Sequence, residues 1–142
     1  MAENLSTRDY KQYIIVELGN EQYGIDIQYI DNIVRMQRIT RVPMAQSYFK
    51  GVINLRGEVI PVMSLRLKFD FEEDVFTGKT RILIVKPDFQ ASVGIIVDNL
   101  IGQQEIVIKS IGKYINNSKM ISGATILGDG EVALILDVNT LV

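Results

Sequence analysis

The chain consists mainly of short apolar runs separated by turn-forming residues, and this pattern is typical of a β protein. The runs are rich in valine and isoleucine, and pairs such as Gly19-Asn20 and Asp129-Gly130 lie between them. They predict strands at 13–18, 21–25, 32–36, 51–55, 59–63, 81–86, 92–97, 105–108, 121–127 and 132–136. Short strands at this spacing favour small barrels or a sandwich.

Helical signals are brief. They occur around residues 26–30 and 46–50, after Ser64, and after Asp137 near the end of the sequence. Ser64 and Asp137 each follow an apolar run, and both residue types accept hydrogen bonds from the first free backbone N–H groups of a helix. The sequence therefore predicts short helical turns that serine and aspartate cap.

An internal repeat is more informative than any single run. The segment YIIVELGNEQYGIDIQYI at 13–30 resembles LIVKPDFQASVGIIVDNL at 83–100, and Gly24 aligns with Gly94. The segment GEVIPVMSL at 57–65 likewise resembles GEVALILDV at 130–138. Because the two matches occur in the same order, we interpret the chain as two similar units, 12–78 and 79–142. The repeat does not determine whether the two units exchange strands.

A unit of about five strands buries little apolar surface alone, so we expect the two units to share an interface. Closing each sheet into a barrel would remove the unpaired edges that recruit other chains. Pro61 fits this interpretation, since proline in a strand belongs at an edge or a barrel corner. The predicted fold is mainly β, with two five-stranded barrels packed together and short helical turns.

Composition and charge exclude several classes of protein. The chain has 142 residues and a net charge of −2, with 15 basic and 17 acidic residues. We see no basic stripe interleaved with aromatic residues, so nucleic-acid binding is not expected. The apolar runs are too short to insert in a membrane, and the first ten residues lack a signal-peptide pattern. The absence of cysteine suits a cytoplasmic protein.

The chemistry open to the chain is narrow because it has neither histidine nor cysteine. This excludes thiol catalysis, histidine-dependent triads and the common zinc sites. A pair of carboxylates, Asp26 and Asp98, keeps hydrolysis formally open. The simpler interpretation is that aspartate beside a strand end caps a turn. We therefore expect no enzyme, no metal and no cofactor.

Several motifs resemble the CheW family of bacterial chemotaxis adaptors. They are YGIDI at 23–27, VP at 42–43, GVINLRG at 51–57, IPV at 60–62, VGIIVD at 93–98 and GDG at 128–130. The resemblance extends from about residue 13 to residue 141, with the motifs in family order. It implies a pair of packed five-stranded SH3-like barrels without catalytic residues or cofactor.

The resemblance also implies a function. A protein of this family is expected to couple the cytoplasmic tips of chemoreceptors to the regulatory domain of the histidine kinase CheA. It would lie in the cytoplasm and be recruited to membrane-bound receptor arrays. Two alternatives stay open: an adaptor of another receptor–kinase system, and a double barrel that binds a small ligand.

A receptor-binding groove follows from the resemblance, since the receptor tip is helical and an apolar groove accepts a helix. The groove maps to Ile27, Ile30, Ile33, Arg56, Val97 and Leu100. For the isoleucines the alternative is ordinary core packing. For Arg56 it is a solvated hairpin tip, but Asn-Gly or Asp-Gly would suit such a turn better than Arg-Gly. We therefore expect Arg56 to contact a partner or to support the groove.

The kinase-binding surface is predicted from residue type. Methionine and aromatic residues are typical anchors of protein interfaces. They occur with other apolar residues in the segment that precedes the GVINLRG motif. The predicted kinase-binding residues are Met36, Ile39, Val42, Met44 and Phe49.

Overall fold

The structure, a computed structural model, describes residues 10–108 and 119–142. In this part of the chain the elements are β1 (Tyr10–Leu18), β2 (Glu21–Asp26), a 3-10 turn (Ile27–Tyr29), β3 (Ile30–Arg35), β4 (Phe49–Leu55), β5 (Glu58–Ser64), α1 (Leu65–Lys68), β6 (Arg81–Val85), β7 (Val93–Val97), β8 (Asn99–Val107), β9 (Ile121–Ile126), β10 (Val132–Leu136) and α2 (Val138–Leu141). The predicted mainly β fold is confirmed. No helix in the described residues is long and apolar enough to span a membrane.

Two details of the predicted elements are wrong. Residues 46–50 do not form a helix, because a single turn closed by Phe49 N–H on Gln46 O (3.0 Å) leads directly into β4. Strand β8 begins at Asn99 rather than at residue 105. In its first half Ile101 and Gln103 are both exposed and Gly102 lies between them, so the alternation of apolar and polar residues that marks a strand is absent there.

The first sheet contains five strands in the order β8-β1-β2-β10-β9. Strands β1 and β2 form an antiparallel hairpin, and so do β9 and β10. The two hairpins join through the parallel pair β2 and β10. A hairpin from the beginning of the sequence therefore completes its sheet with a hairpin from the end.

The second sheet has the same topology, with five strands in the order β3-β6-β7-β5-β4. Its antiparallel hairpins are β6–β7 and β4–β5, and the parallel pair is β5 and β7. Residues 30–100 accordingly form one compact unit, and the described residues outside that range form the other. These boundaries differ from those of the sequence units 12–78 and 79–142, whose common origin stays a prediction.

The edge strands of each sheet meet. In the first sheet, Thr125 Oγ1 on β9 donates to Val107 O on β8 at 3.1 Å. In the second, Thr40 follows β3 and exchanges two backbone hydrogen bonds of 2.8 Å with Val52 on β4. A Cβ on Gly51 would lie 2.1 Å from Thr40 O, so only glycine fits under this crossing. Contacts of this kind protect sheet edges from pairing with other chains.

Each unit has its own apolar core. The core of the first sheet contains Tyr13, Ile15, Ile106, Leu127, Ala133 and Ile135. The core of the second sheet contains Ile53, Ile60, Val62, Ile82, Ile84 and Ile96. Most of these residues are β-branched, which suits packing on a pleated surface.

Equivalent glycines lie beneath the parallel strand pair of each sheet. Gly24 on β2 is opposite Ile135 on β10, and Gly94 on β7 is opposite Val62 on β5. A Cβ on Gly24 would lie 2.8 Å from Ile135 Cδ1, and one on Gly94 would lie 2.9 Å from Ile82 Cγ2. The aligned glycines of the sequence repeat therefore have one physical cause, which is close approach in the core.

The predicted helix caps are confirmed. Ser64 Oγ accepts the N–H of Leu67 at 3.2 Å, and Asp137 Oδ1 accepts the N–H of Asn139 at 3.1 Å. Each short helix thus begins where a strand of a parallel pair ends.

Candidate protein-binding site

The β4–β5 hairpin ends in a two-residue turn that projects Arg56. Leu55 pairs with Glu58, and the residues between them, Arg56 and Gly57, have φ angles of 54° and 85°. Both angles are left-handed, as a type I′ turn requires, and Asn54 Oδ1 accepts the N–H of Gly57 at 2.9 Å.

Arginine is a poor choice for this position. A left-handed conformation costs a residue with a Cβ about 1–2 kcal/mol, a cost that glycine avoids and asparagine tolerates better. Arg56 is exposed and forms no ion pair with any residue that the structure describes. The turn therefore presents a free guanidinium at a local cost in stability.

A second hairpin tip lies at the same end of this sheet. Because β5 and β7 are parallel, with Val62 opposite Gly94, the tips that precede these strands lie side by side. The β6–β7 tip presents Phe89, which is fully exposed (104%) and has a φ of 61°. A large apolar side chain in a left-handed, solvent-exposed turn is unfavourable both for the backbone and for hydration.

The predicted groove residues are distributed unevenly. Ile30 begins β3 opposite Val85, so it lies at the same end of the sheet as the tips with Arg56 and Phe89. Ile33 is half-buried farther along β3. Ile27 is partly exposed in the 3-10 turn, and Leu100 is half-buried near the start of β8.

Val97 is the exception among these residues. It is fully buried (0% exposed) at the opposite end of β7 from the Phe89 tip. Strand β7 is covered on both faces, which leaves this side chain no surface to offer a partner. We therefore remove Val97 from the contact surface.

The predicted kinase-binding residues divide into two groups. Met36 and Ile39 are half-buried and pack against the core of the second sheet. Val42, Met44 and Phe49 instead line a surface cavity of about 200 Å³, together with Arg41, Ala45, Gln46, Ser47 and Lys50. Of the predicted residues, only the second group lines this cavity.

A polar network holds the chain around α1. Arg66 binds Asp98 with both arms of its guanidinium, Nε to Oδ1 at 2.8 Å and NH2 to Oδ2 at 2.5 Å. The Ser64 hydroxyl donates to Asp74, and burial raises the pKa of Asp74 although this hydrogen bond and Lys50 oppose the shift. The loop after α1 is thus fixed to the sheet.

The carboxylates considered for hydrolysis have local structural contacts. Asp26 accepts the N–H of Gln28 at 3.0 Å, as expected of an aspartate that caps a turn. Asp98 is the partner of Arg66. Among the described residues, no group of three or more acidic side chains is arranged to hold a metal ion.

Comparison with known proteins identifies the domain type. A family model described as the CheW-like domain matches residues 12–142. The chain belongs to the CheW-like domain family.

Members of this family occur in proteins of different size. The chain is 39% identical over 129 residues to chemotaxis protein CheA of Bacillus subtilis, covering 91% of this chain and 19% of CheA. It is 30% identical to chemotaxis protein CheW of Treponema pallidum, covering 92% of this chain and 81% of that protein. The chain thus spans about a fifth or less of the CheA relatives it matches.

A solved structure agrees with this assignment. The scaffolding protein TtCheW from Thermoanaerobacter tengcongensis matches with a TM-score of 0.81 and 26% sequence identity. The match covers 93% of this chain and 92% of TtCheW.

Within this CheW-like domain, the structure indicates two candidate residues that sequence reasoning missed. Phe89 follows Pro87-Asp88, which marks a turn, but only the structure shows its exposure and left-handed backbone. Arg41 lines the cavity with the predicted kinase-binding residues. The sequence does contain a signal for Arg41, because no acidic residue occurs near it. The net charge of the whole chain does not show this local excess of basic residues.

Proposed function

We propose that this chain is a noncatalytic chemotaxis adaptor that couples chemoreceptor tips to the histidine kinase CheA in the cytoplasm. The observation that carries the proposal is Arg56, which the GVINLRG hairpin holds in solvent at a cost to its own turn. Natural proteins retain such local misfits mainly where function needs them.

The receptor-binding surface of the proposal contains Ile27, Ile30, Ile33, Arg56 and Leu100. Its support is the placement of Ile30 and Arg56 at one end of the second sheet and the partial exposure of Ile27. Apolar side chains at the same end of a sheet as a guanidinium suit an amphipathic helix that carries a carboxylate.

The kinase-binding surface of the proposal contains Val42, Met44 and Phe49. Its support is their shared cavity and the full exposure of Met44. Met36 and Ile39 would then act by supporting this surface from the core.

The noncatalytic part of the proposal depends on the absence of histidine and cysteine and on the structural contacts of Asp26 and Asp98. These carboxylates already have partners within the fold, a backbone N–H for Asp26 and the Arg66 guanidinium for Asp98. The chemistry of a signalling complex that contains this chain would belong to the kinase.

Two separate binding measurements test the proposal. The purified chain is titrated against an immobilised receptor signalling fragment and, separately, against the regulatory domain of CheA. Arg56→Asn suits the turn but removes the guanidinium, so it should weaken receptor binding and leave kinase binding unchanged. Met44→Asp should have the opposite effect, and Lys79→Glu, an exposed change elsewhere in the same unit, should affect neither.

Failure of the folded wild-type chain to bind either partner would refute the adaptor function. Equal affinities for wild type and Arg56→Asn would remove the arginine from the receptor-binding surface.

A further inference from the structure

Charge is distributed unevenly along the chain. Residues 32–57 contain five basic residues and no acidic residue, which leaves ten basic and 17 acidic residues elsewhere. The basic residues are Arg35, Arg38, Arg41, Lys50 and Arg56. None of the four arginines forms an ion pair with a residue that the structure describes. This segment is therefore a positive region on a protein whose net charge is negative.

The surface cavity lies within this positive region. Its lining residues run from Arg41 to Lys50, so a cation stands at each end of the lining segment. Between them, Val42, Met44 and Phe49 provide apolar surface. Most of the accessible lining is polar, which suits a charged occupant that also forms hydrogen bonds.

The backbone at the cavity is unfavourable for the residue it carries. Met44 follows Pro43 and has a φ of 65°, a combination that suits glycine at the third position of a type II turn. Its side chain is fully exposed (101%), so burial does not compensate for the left-handed backbone. Like Arg56, Met44 is retained against local preference, which indicates contact with another molecule.

The rim of the cavity already binds a carboxylate of the chain itself. Lys50 Nζ contacts Glu73 Oε1 at 2.5 Å, and the Glu73 side chain is 64% exposed. The Lys50 side chain is half-buried (26% exposed), but the Glu73 carboxylate faces solvent, so an incoming carboxylate can take its place on Lys50. Glu73 belongs to the run Glu-Glu-Asp-Val-Phe at residues 72–76, in which Val75 and Phe76 are exposed.

We propose that this cavity binds an acidic segment of a partner protein. One carboxylate of the segment pairs with Arg41, and a neighbouring apolar side chain packs between Val42, Met44 and Phe49. The complementary charge of the region 32–57 favours an acidic partner over a neutral or basic one. The inference deepens the proposed kinase-binding surface and depends on the adaptor function only for the identity of the partner.

A peptide titration tests the site directly. The probe is the synthetic peptide Glu-Glu-Asp-Val-Phe, followed through the backbone amide signals of the isotope-labelled chain. We expect saturable shifts at Ala45, Ser47 and Phe49, with affinity that falls as salt rises. Arg41→Glu should weaken binding by about tenfold, the scale of a reversed charge contact, while the matched reversal Lys79→Glu leaves it unchanged.

A charge-swapped probe controls for damage to the fold. The peptide Lys-Lys-Asp-Val-Phe should bind the Arg41→Glu variant better than it binds wild type. Amide shifts spread evenly over the chain would overturn the site. So would equal affinities of the wild-type chain and the Arg41→Glu variant for each peptide. Self-association that perturbs the same amides would overturn the assignment to a different protein, since the occupant would be a second copy.

The outcomes also separate this site from the adaptor function. Peptide binding in a chain that binds neither receptor fragment nor CheA would support the site and refute the function. Receptor and kinase binding without any peptide shift would support the function and refute the site.

Discussion

Substituting alanine for Gly94 probes the packing beneath the parallel strands β5 and β7. The added Cβ would lie 2.9 Å from Ile82 Cγ2 and 3.2 Å from Val62 Cγ2. Both methyl groups belong to β-branched, fully buried side chains, whose χ1 angles are restricted. Neither neighbour can therefore move away at low cost.

The expected loss of stability follows from two opposing terms. An extra methyl group in a packed core costs about 1–3 kcal/mol. Alanine also lowers the conformational entropy of the unfolded chain relative to glycine, which stabilises the folded protein by about 0.4–1 kcal/mol. The net prediction for Gly94→Ala is a destabilisation of about 1–2 kcal/mol.

The equivalent change in the first sheet should cost less. The nearest atom to a Cβ on Gly24 is Ile135 Cδ1 at 2.8 Å, the end of a flexible side chain that can turn aside. Gly78→Ala is the matched control, because a Cβ there has no neighbour within 4 Å. It should leave stability unchanged or raise it slightly.

Urea unfolding of the three variants, followed by circular dichroism, measures these differences. We expect the midpoints to fall in the order Gly78→Ala, Gly24→Ala, Gly94→Ala at a common slope. A Gly94→Ala protein as stable as Gly78→Ala would show that the glycine is not required by close packing.

Three further predictions concern the turn, the buried carboxylate and the ion pair. Arg56→Asn should stabilise the fold by about 1 kcal/mol in urea unfolding, because asparagine tolerates the left-handed turn; a loss of stability would contradict the strain argument. Burial raises the pKa of Asp74, so the native protein binds this proton more tightly than the unfolded chain does. Stability should accordingly fall as pH rises from the ordinary value of 3.8 through the raised one, and Asp74→Asn should lack this component; parallel pH profiles of the two proteins would refute it. Arg66→Ala should destabilise by about 1–2 kcal/mol, because it leaves Asp98 half-buried without its bidentate partner. A double-mutant cycle with Asp98→Asn should recover most of that energy as coupling, and purely additive losses would argue against the pair.

Local features of the sequence were sufficient to predict most of the secondary structure. Apolar runs between turn residues identify the strands. The helix N-caps Ser64 and Asp137 are also recognisable, because capping depends only on a residue and its near neighbours in the sequence. The predicted β8 is too short because no residue in the first half of the strand is fully buried, so apolar and polar residues do not alternate there.

Features that depend on distant parts of the chain were not predictable in this way. The sequence repeat indicates two units. Which hairpin completes which sheet depends on parallel pairs such as β2–β10, whose strands lie far apart in the sequence. The family resemblance maps Val97 to the groove, but an apolar residue looks the same in the sequence whether one or both faces of its strand are buried. The position of Phe89 at the same end of the sheet as Arg56 likewise becomes visible only once β5 and β7 are paired.

Reconstitution with three purified components tests the proposed adaptor function most directly. Receptor signalling fragments are sedimented with CheA in the presence and absence of this chain. We predict that CheA sediments with the receptor fragments only when the wild-type chain is present, and that Arg56→Asn greatly reduces this effect. Sedimentation of CheA that is the same with and without the folded chain would contradict the account.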